Sequence, residues 1–104
     1  RISPEYWANS GLPGAPSLED VTAYTRANGT GYQMHRSDWE YVSYLYISGY
    51  KTGVWIGREP GFADAPNAQL YEVHVGGCGN GLYVECQSVW HTYIQLILRS
   101  GSRW

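Results

Sequence analysis

Hydrophobic and polar residues alternate along much of the second half of the chain. In residues 69–88, QLYEVHVGGCGNGLYVECQS, one alternating run precedes a glycine-rich connection and a second run follows it. Successive side chains of a strand point to opposite faces, so such runs indicate strands with one apolar side. In the first run we expect Tyr71, Val73 and Val75 on the apolar side, with Glu72 and His74 on the other. The two runs predict a hairpin with a wide glycine-rich turn.

Three further segments are predicted to be strands from alternation, or from a short apolar run between glycines. They are residues 39–47, 53–57 and 90–99. The last of these is expected to complete a three-stranded antiparallel meander with the hairpin. Residues 29–37 are glycine-rich and polar, and we interpret them as a loop or a short edge strand.

Two short helices are predicted near the N-terminus. Ser3 is a candidate N-cap for the first, and Gly11 lies just past its end. The second begins at Ser17, has Asp20 in the capping-box position three residues later, and ends at Asn28.

The predicted fold class is therefore α+β, with two short N-terminal helices followed by a twisted, mainly antiparallel sheet of about five strands. A chain of 104 residues fits a single domain over residues 1–104. No internal repeat is apparent in the pattern.

The composition restricts the classes of partner. A net charge of −2 shows no basic field of the kind that attracts nucleic acid or anionic membranes, and no apolar run is long enough to span a bilayer. Ten Tyr and five Trp stand against one Phe, a balance more common in secreted or surface-binding proteins. The chain opens at Arg1 without an initiator Met, which suggests a processed mature protein or a trimmed one.

The two cysteines, Cys78 and Cys86, permit one disulfide that would close a short loop inside the hairpin. We favour this bond in an oxidising compartment. Alternatively, Cys86 is a small buried thiol, because hairpin geometry does not guarantee that Cys78 can reach it.

Candidate chemistry is concentrated on the polar sides of the hairpin strands. Glu72 and His74 could act as a general base and acid, or could form only a solvated ion pair. Glu85 and Gln87 make a second pair on one side. Two ligands on one strand are too few for a metal site, so none is expected. We interpret His35, in the predicted loop, as a surface histidine.

The order of the segments resembles the ADP-ribosyltransferases of the cholera and pertussis toxin type. RISPEYWANSGL resembles their RPPE segment, SLEDVTAYTRANGT their second helix, EYVSYL their Ser-Thr-Ser strand, QLYEVHV their YxYEV strand, and VECQSVW their ExE region. The resemblance implies NAD as a substrate and Ser43, Glu85 and Gln87 as the catalytic set. Gln87 stands where the family has a second Glu, and the strand with the NAD-holding Arg would precede Arg1.

A second resemblance is to fungal guanyl-specific ribonucleases and the ribonuclease-like effectors of powdery mildews. DVTAYTRANGTGYQMH resembles the end of their single helix, and HVGGCGNGLYVEC resembles their catalytic-His strand, its turn and the closing strand. It implies that His74 is the general acid. Glu72 is available for the role of the family's general-base Glu, and Arg58 for the role of its Arg.

Both resemblances imply a small secreted toxin-like or effector-like protein with an incomplete catalytic set. We predict an extracellular or host-delivered virulence protein of fungal type that binds a host protein, with RNA as an alternative partner and no membrane. Exposed aromatics such as Trp7, Trp55 or Trp104 would carry that binding. No cofactor is predicted, and NAD is a substrate only under the first resemblance.

Overall fold

The computed structural model of the protein describes residues 1–35, 40–57, 68–85 and 92–99. These residues are about 20% helix and 50% strand, a mixed α/β composition. The described helices are α1 (Glu5–Ala8) and α2 (Leu18–Asn28). The described strands are β1 (Thr30–Met34), β2 (Glu40–Ser48), β3 (Thr52–Ile56), β4 (Ala68–Gly76), β5 (Asn80–Val84) and β6 (Thr92–Arg99).

The strands form two parallel sheets, and the chain alternates between them. The odd sheet contains β1, β3 and β5, and the even sheet contains β2, β4 and β6. One coil of the chain consists of a strand of the odd sheet and the next strand of the even sheet. Three such coils stack in register, which is the architecture of a short parallel β-solenoid.

The predicted antiparallel sheet, its hairpin and its meander are wrong. β4 pairs with β2 and β6, whereas β5 pairs with β3, so the two strands expected to form a hairpin lie in different sheets. The glycine-rich residues 77–79 turn the chain from one sheet into the other. Alternation identifies a strand with one buried side, but a parallel partner one coil away satisfies the same pattern as an antiparallel neighbour.

A column of glycines lets the two sheets approach each other. Gly31, Gly53 and Gly81 each follow the first residue of their strand in the odd sheet. An ideal Cβ atom at each glycine would collide with one column of paired side chains in the even sheet: Ile47, Val75 and Leu98. The absent side chains therefore make room for branched apolar residues between the sheets.

The hydrophobic core lies between the sheets and is made by inward side chains of both. Its buried members are Met34, Ile47, Val54, Ile56, Ala68, Leu70, Val73 and Val75. The residues of the first two coils dominate this list. In the third coil, Leu98 occupies the same column as Ile47 and Val75 but is 60% exposed, because no described strand follows β6.

The two predicted helices are confirmed, and Thr25 of α2 is hydrogen-bonded to the turn that follows β2. Ser17 caps α2 by accepting a hydrogen bond from the Asp20 backbone at 3.1 Å, as the capping-box spacing predicts. α1 is shorter than expected, and its N-cap is Pro4 rather than Ser3. Ile2 also pairs with Ile47 of β2. Neither described helix is long and apolar enough to cross a membrane.

Candidate functional site

The regular alternation of the even sheet is broken at one position in two coils. Glu72 in β4 has a φ of 55°, as does the corresponding residue of β2, Tyr44. A left-handed residue inserted in a strand shifts the alternation by one. Leu70 and Val73 are consequently both buried, and Tyr71 lies on the outer side rather than on the apolar side predicted for it.

The outer side of β2 and β4 carries a cluster of aromatic and polar side chains, here termed the tyrosine face. Its members are Tyr41, Tyr44, Tyr46 and Tyr71, together with Glu72 and His74. Tyr41 and Tyr44 are each 64% exposed, and Tyr71 is 47% exposed. Tyr44 meets Tyr71 edge to face, with ring centroids 5.8 Å apart, while Tyr46 stacks on His74 at 4.6 Å. These contacts hold the rings in place before any partner arrives.

Glu72 and His74 are in contact, as their shared side of the strand predicts. His74 Nε2 lies 2.9 Å from Glu72 Oε2, and because an ionised carboxylate only accepts, the imidazole donates. The His74 side chain is 17% exposed and the Glu72 side chain is 28% exposed. The Tyr46 ring covers one side of the imidazole. The pair thus has a defined geometry at the surface.

Two of the residues assigned by the transferase resemblance, Ser43 and Glu85, belong to different sheets. Ser43 is exposed in the first coil of the even sheet, paired with Tyr71. Glu85 follows β5 in the third coil of the odd sheet. Gln87 lies outside the described residues, as does Arg58 of the ribonuclease resemblance.

Glu85 instead faces His35, which is predicted from the sequence to be a surface histidine. His35, Gly57 and Glu85 each follow the last residue of their strand in the odd sheet, so they occupy the same position in three coils. A Cβ atom at Gly57 would lie 3.0 Å from His35 Nε2 and 3.1 Å from Glu85 Oε1. The two side chains turn toward the gap left by the glycine. Gln33 donates to His35 Nε2 at 2.7 Å.

Cys78 lies in the turn before β5, where its thiol contacts the carbonyl oxygen of Gly76 at 3.6 Å. Burial raises the pKa of this thiol, and backbone hydrogen bonds from Tyr50 and Gly49 only partly oppose the effect. Among the described residues Cys78 has no disulfide partner. Cys86 lies outside them, so the predicted bond stays a prediction.

The predicted binding tryptophans differ in their surroundings. Trp7 is exposed on α1, Trp55 is half-buried in β3, and Trp104 lies outside the described residues. In the described ranges, no group of three or more His, Cys, Asp or Glu side chains could hold a metal ion.

Comparison with known proteins does not place the chain in a family. No family model matches it, and neither a curated protein nor a solved structure matches it. The two resemblances stay predictions.

Proposed function

We propose that this protein is a binding protein that recognises a partner protein through the tyrosine face. The observation that supports this most directly is the set of exposed rings on two adjacent strands: Tyr41, Tyr44 and Tyr71. Tyrosine is enriched at binding hot spots because its large ring is buried at a small cost in side-chain entropy. The edge-to-face contact of Tyr44 and Tyr71 reduces that cost further.

Charge favours a protein over a nucleic acid as the partner. Phosphate contacts are made mainly by Lys and Arg, and they dominate affinity for nucleic acids. The ionisable members of the tyrosine face are instead Glu72 and His74, in a chain whose net charge is −2. A protein surface with basic or hydrogen-bonding groups complements such a face better.

The exposure of the tyrosine face favours binding over catalysis. Enzyme sites are usually concave and exclude water from the reacting groups. The rings of Tyr41, Tyr44 and Tyr71 are instead exposed to solvent. We include in the proposal that the protein is secreted and acts on a host protein, in keeping with its Tyr- and Trp-rich composition.

Affinity capture from an extract of candidate host tissue tests the proposal. The bait is compared with a Tyr44→Ala/Tyr71→Ala variant, and captured proteins are quantified by mass spectrometry. A Tyr6→Ala/Tyr24→Ala variant is the matched control, because it removes two exposed tyrosines from the helices. We expect a partner that the control retains and the first variant loses. Partners whose capture is reduced by neither pair of substitutions would contradict the proposal.

Titrations with NAD and with a guanine-containing oligoribonucleotide address the two resemblances. Saturable NAD binding that is removed by Glu85→Ala or Ser43→Ala would instead support the hypothesis of a transferase-like function. Circular dichroism spectra of each variant establish that the fold is kept.

A second candidate function is RNA cleavage, which the 2.9 Å contact of Glu72 and His74 favours. In such a reaction the histidine would give a proton to the leaving oxygen and the carboxylate would take one from the nucleophile. Cleavage of a guanine-containing oligoribonucleotide should then vanish in His74→Ala and persist in His35→Ala. Cleavage that survives His74→Ala would exclude this pair.

A further inference from the structure

A groove on the odd sheet has the properties of a small-molecule site and is separate from the tyrosine face. It has a volume of about 320 Å³ and runs along the outer side of the sheet near the beginning of its strands. Thr30, Thr52 and Asn80, which are paired across the sheet, line one end together with Lys51. Sites for small ligands begin at about this size.

Two aromatic residues form the other end of the groove. Trp55 and Tyr83 are paired in neighbouring strands, with ring centroids 5.1 Å apart and ring planes 81° apart. Nε1 of Trp55 is buried and has no hydrogen-bond acceptor among the described residues. This atom has almost no accessible surface, so it is the ring of Trp55, and not its N–H, that the groove offers to a ligand.

The polar groups of the groove are rich in donors. Lys51 is the charged side chain of the lining, and no carboxylate accompanies it. Neither its ammonium group nor the side chains of Thr30 and Asn80 form a hydrogen bond or ion pair with another described residue. Asn28, at the edge, uses one donor on the Tyr24 carbonyl oxygen at 3.2 Å. The ligand that satisfies these groups has many acceptors and a negative charge.

Three requirements therefore apply to one ligand. It needs a ring with an apolar side to pack against the aromatic wall, several hydroxyls for the amide and hydroxyl side chains, and an anionic group within reach of Lys51. We propose that the groove binds a small acidic sugar, a hexuronate, with its carboxylate at Lys51 and its ring against Trp55. This inference does not rest on the tyrosine face.

Calorimetric titration with D-glucuronate at low salt tests the proposal. D-Glucose is the neutral ligand, with a hydroxymethyl group in place of the carboxylate, and D-glucosamine is a cationic ligand, with its ammonium group at C2. We expect saturable binding of glucuronate, weaker binding of glucose by about tenfold, and no binding of glucosamine. AMP is titrated in parallel because it also joins a ring to an anion. Failure of glucuronate to bind, or binding of AMP alone, would overturn the assignment.

Two substitutions locate the site. Lys51→Met should reduce glucuronate affinity to that of glucose, about tenfold, without changing glucose affinity. Arg26→Met removes the same charge from an exposed residue outside the groove and should leave the affinity unchanged. Trp55→Phe keeps a ring but reduces the aromatic surface of the groove, so it should weaken both sugars. If neither Lys51→Met nor Trp55→Phe changes the affinity for glucuronate, the site lies elsewhere and the proposal is refuted.

Discussion

Tyr44 and Glu72 share a φ of 55° at the same position of adjacent strands. A left-handed conformation costs a residue with a Cβ atom about 1–2 kcal/mol. The solenoid thus repeats one strained residue in two coils, and β6 lacks it, since the register shifts there between Leu70 and Val73. The consequence is functional in our proposal, because the added residue places both side chains on the tyrosine face.

The strain at Tyr44 can be measured by comparing Tyr44→Gly with Tyr44→Ala. Both variants lose the contact with Tyr71, so their difference reports the backbone alone. We expect the Gly variant to be more stable by about 1 kcal/mol in urea unfolding, because glycine adopts positive φ without steric cost.

Tyr41 supplies the control for that comparison. It is as exposed as Tyr44 and lies in the same strand, but it has no positive φ. There Ala should be the more stable variant, since glycine weakens a regular strand. If the Ala variant were the more stable one at both positions, the left-handed conformation at Tyr44 would carry no strain.

The strands could be located from the sequence, whereas their pairing could not. Residues 39–47 were predicted as a strand, and the structure has β2 at Glu40–Ser48. The contact of Glu72 with His74 also followed from alternation. The outward position of Tyr71 did not, because it depends on a left-handed residue that is not a glycine and has no local sequence signal.

A signal for the solenoid was present in the sequence and was missed. Residues 48–57, SGYKTGVWIG, align with residues 76–85, GGCGNGLYVE. The glycines Gly49 and Gly77 begin the two turns, both with positive φ, and Gly53 and Gly81 follow at the same spacing. The repeat period, from residue 48 to residue 76, is 28 residues, and periods of this length are typical of solenoids. It would also have placed Glu85 in the column of Gly57, and so near His35.

Gly53 should be a more sensitive position of the glycine column than Gly81. A Cβ there collides with the buried Val75 and comes within 2.9 Å of the carbonyl oxygen of Gly81. Gly53→Ala should lower the free energy of unfolding by about 1–3 kcal/mol, the usual cost of overpacking. In Gly81→Ala the atoms nearest to the new Cβ belong to the exposed Leu98 side chain, which can move, so its cost should be smaller. Urea unfolding of both variants checks this order.

The double variant Gly53→Ala/Val75→Ala tests the cause of that loss. If the collision with Val75 is responsible, the two substitutions should be non-additive and the double variant should regain part of the stability. Full additivity would assign the loss to the backbone contact with Gly81.

Thr25 should stabilise the junction of α2 with the first turn of the solenoid. Its Oγ1 donates to the buried carbonyl of Gly49 at 2.7 Å, and its own carbonyl accepts from Gly29 and Lys51. Thr25→Val keeps the shape but leaves the Gly49 oxygen without this donor, so we expect a loss of about 1–2 kcal/mol. Thr22→Val, one turn earlier, is the control, since its hydroxyl makes no hydrogen bond to a described residue. If both variants lower the melting temperature equally, the hydrogen bond from Thr25 to Gly49 does not stabilise this junction.

The stacked turn residues Tyr50 and Cys78 should weaken the fold at alkaline pH. Burial raises the pKa of each group, and the neighbouring Cys78 thiolate adds to the effect at Tyr50. Because the folded state holds these protons more tightly than the unfolded chain, the stabilisation is complete below the ordinary pKa values. It is lost as the pH rises above about 9 for the thiol and about 10 for the phenol, toward the raised folded values.

Urea unfolding at pH 7, 9 and 11 measures this loss in the wild type, Cys78→Ala and Tyr50→Phe. We expect a contribution below about 1 kcal/mol from each group, because solvent screens half-buried charges. Each variant should lose less stability than the wild type between pH 9 and 11, while Tyr24→Phe, on the exposed side of α2, should follow the wild type. An unchanged alkaline loss in Cys78→Ala would mean that ionisation of this thiol does not limit the stability of the turn.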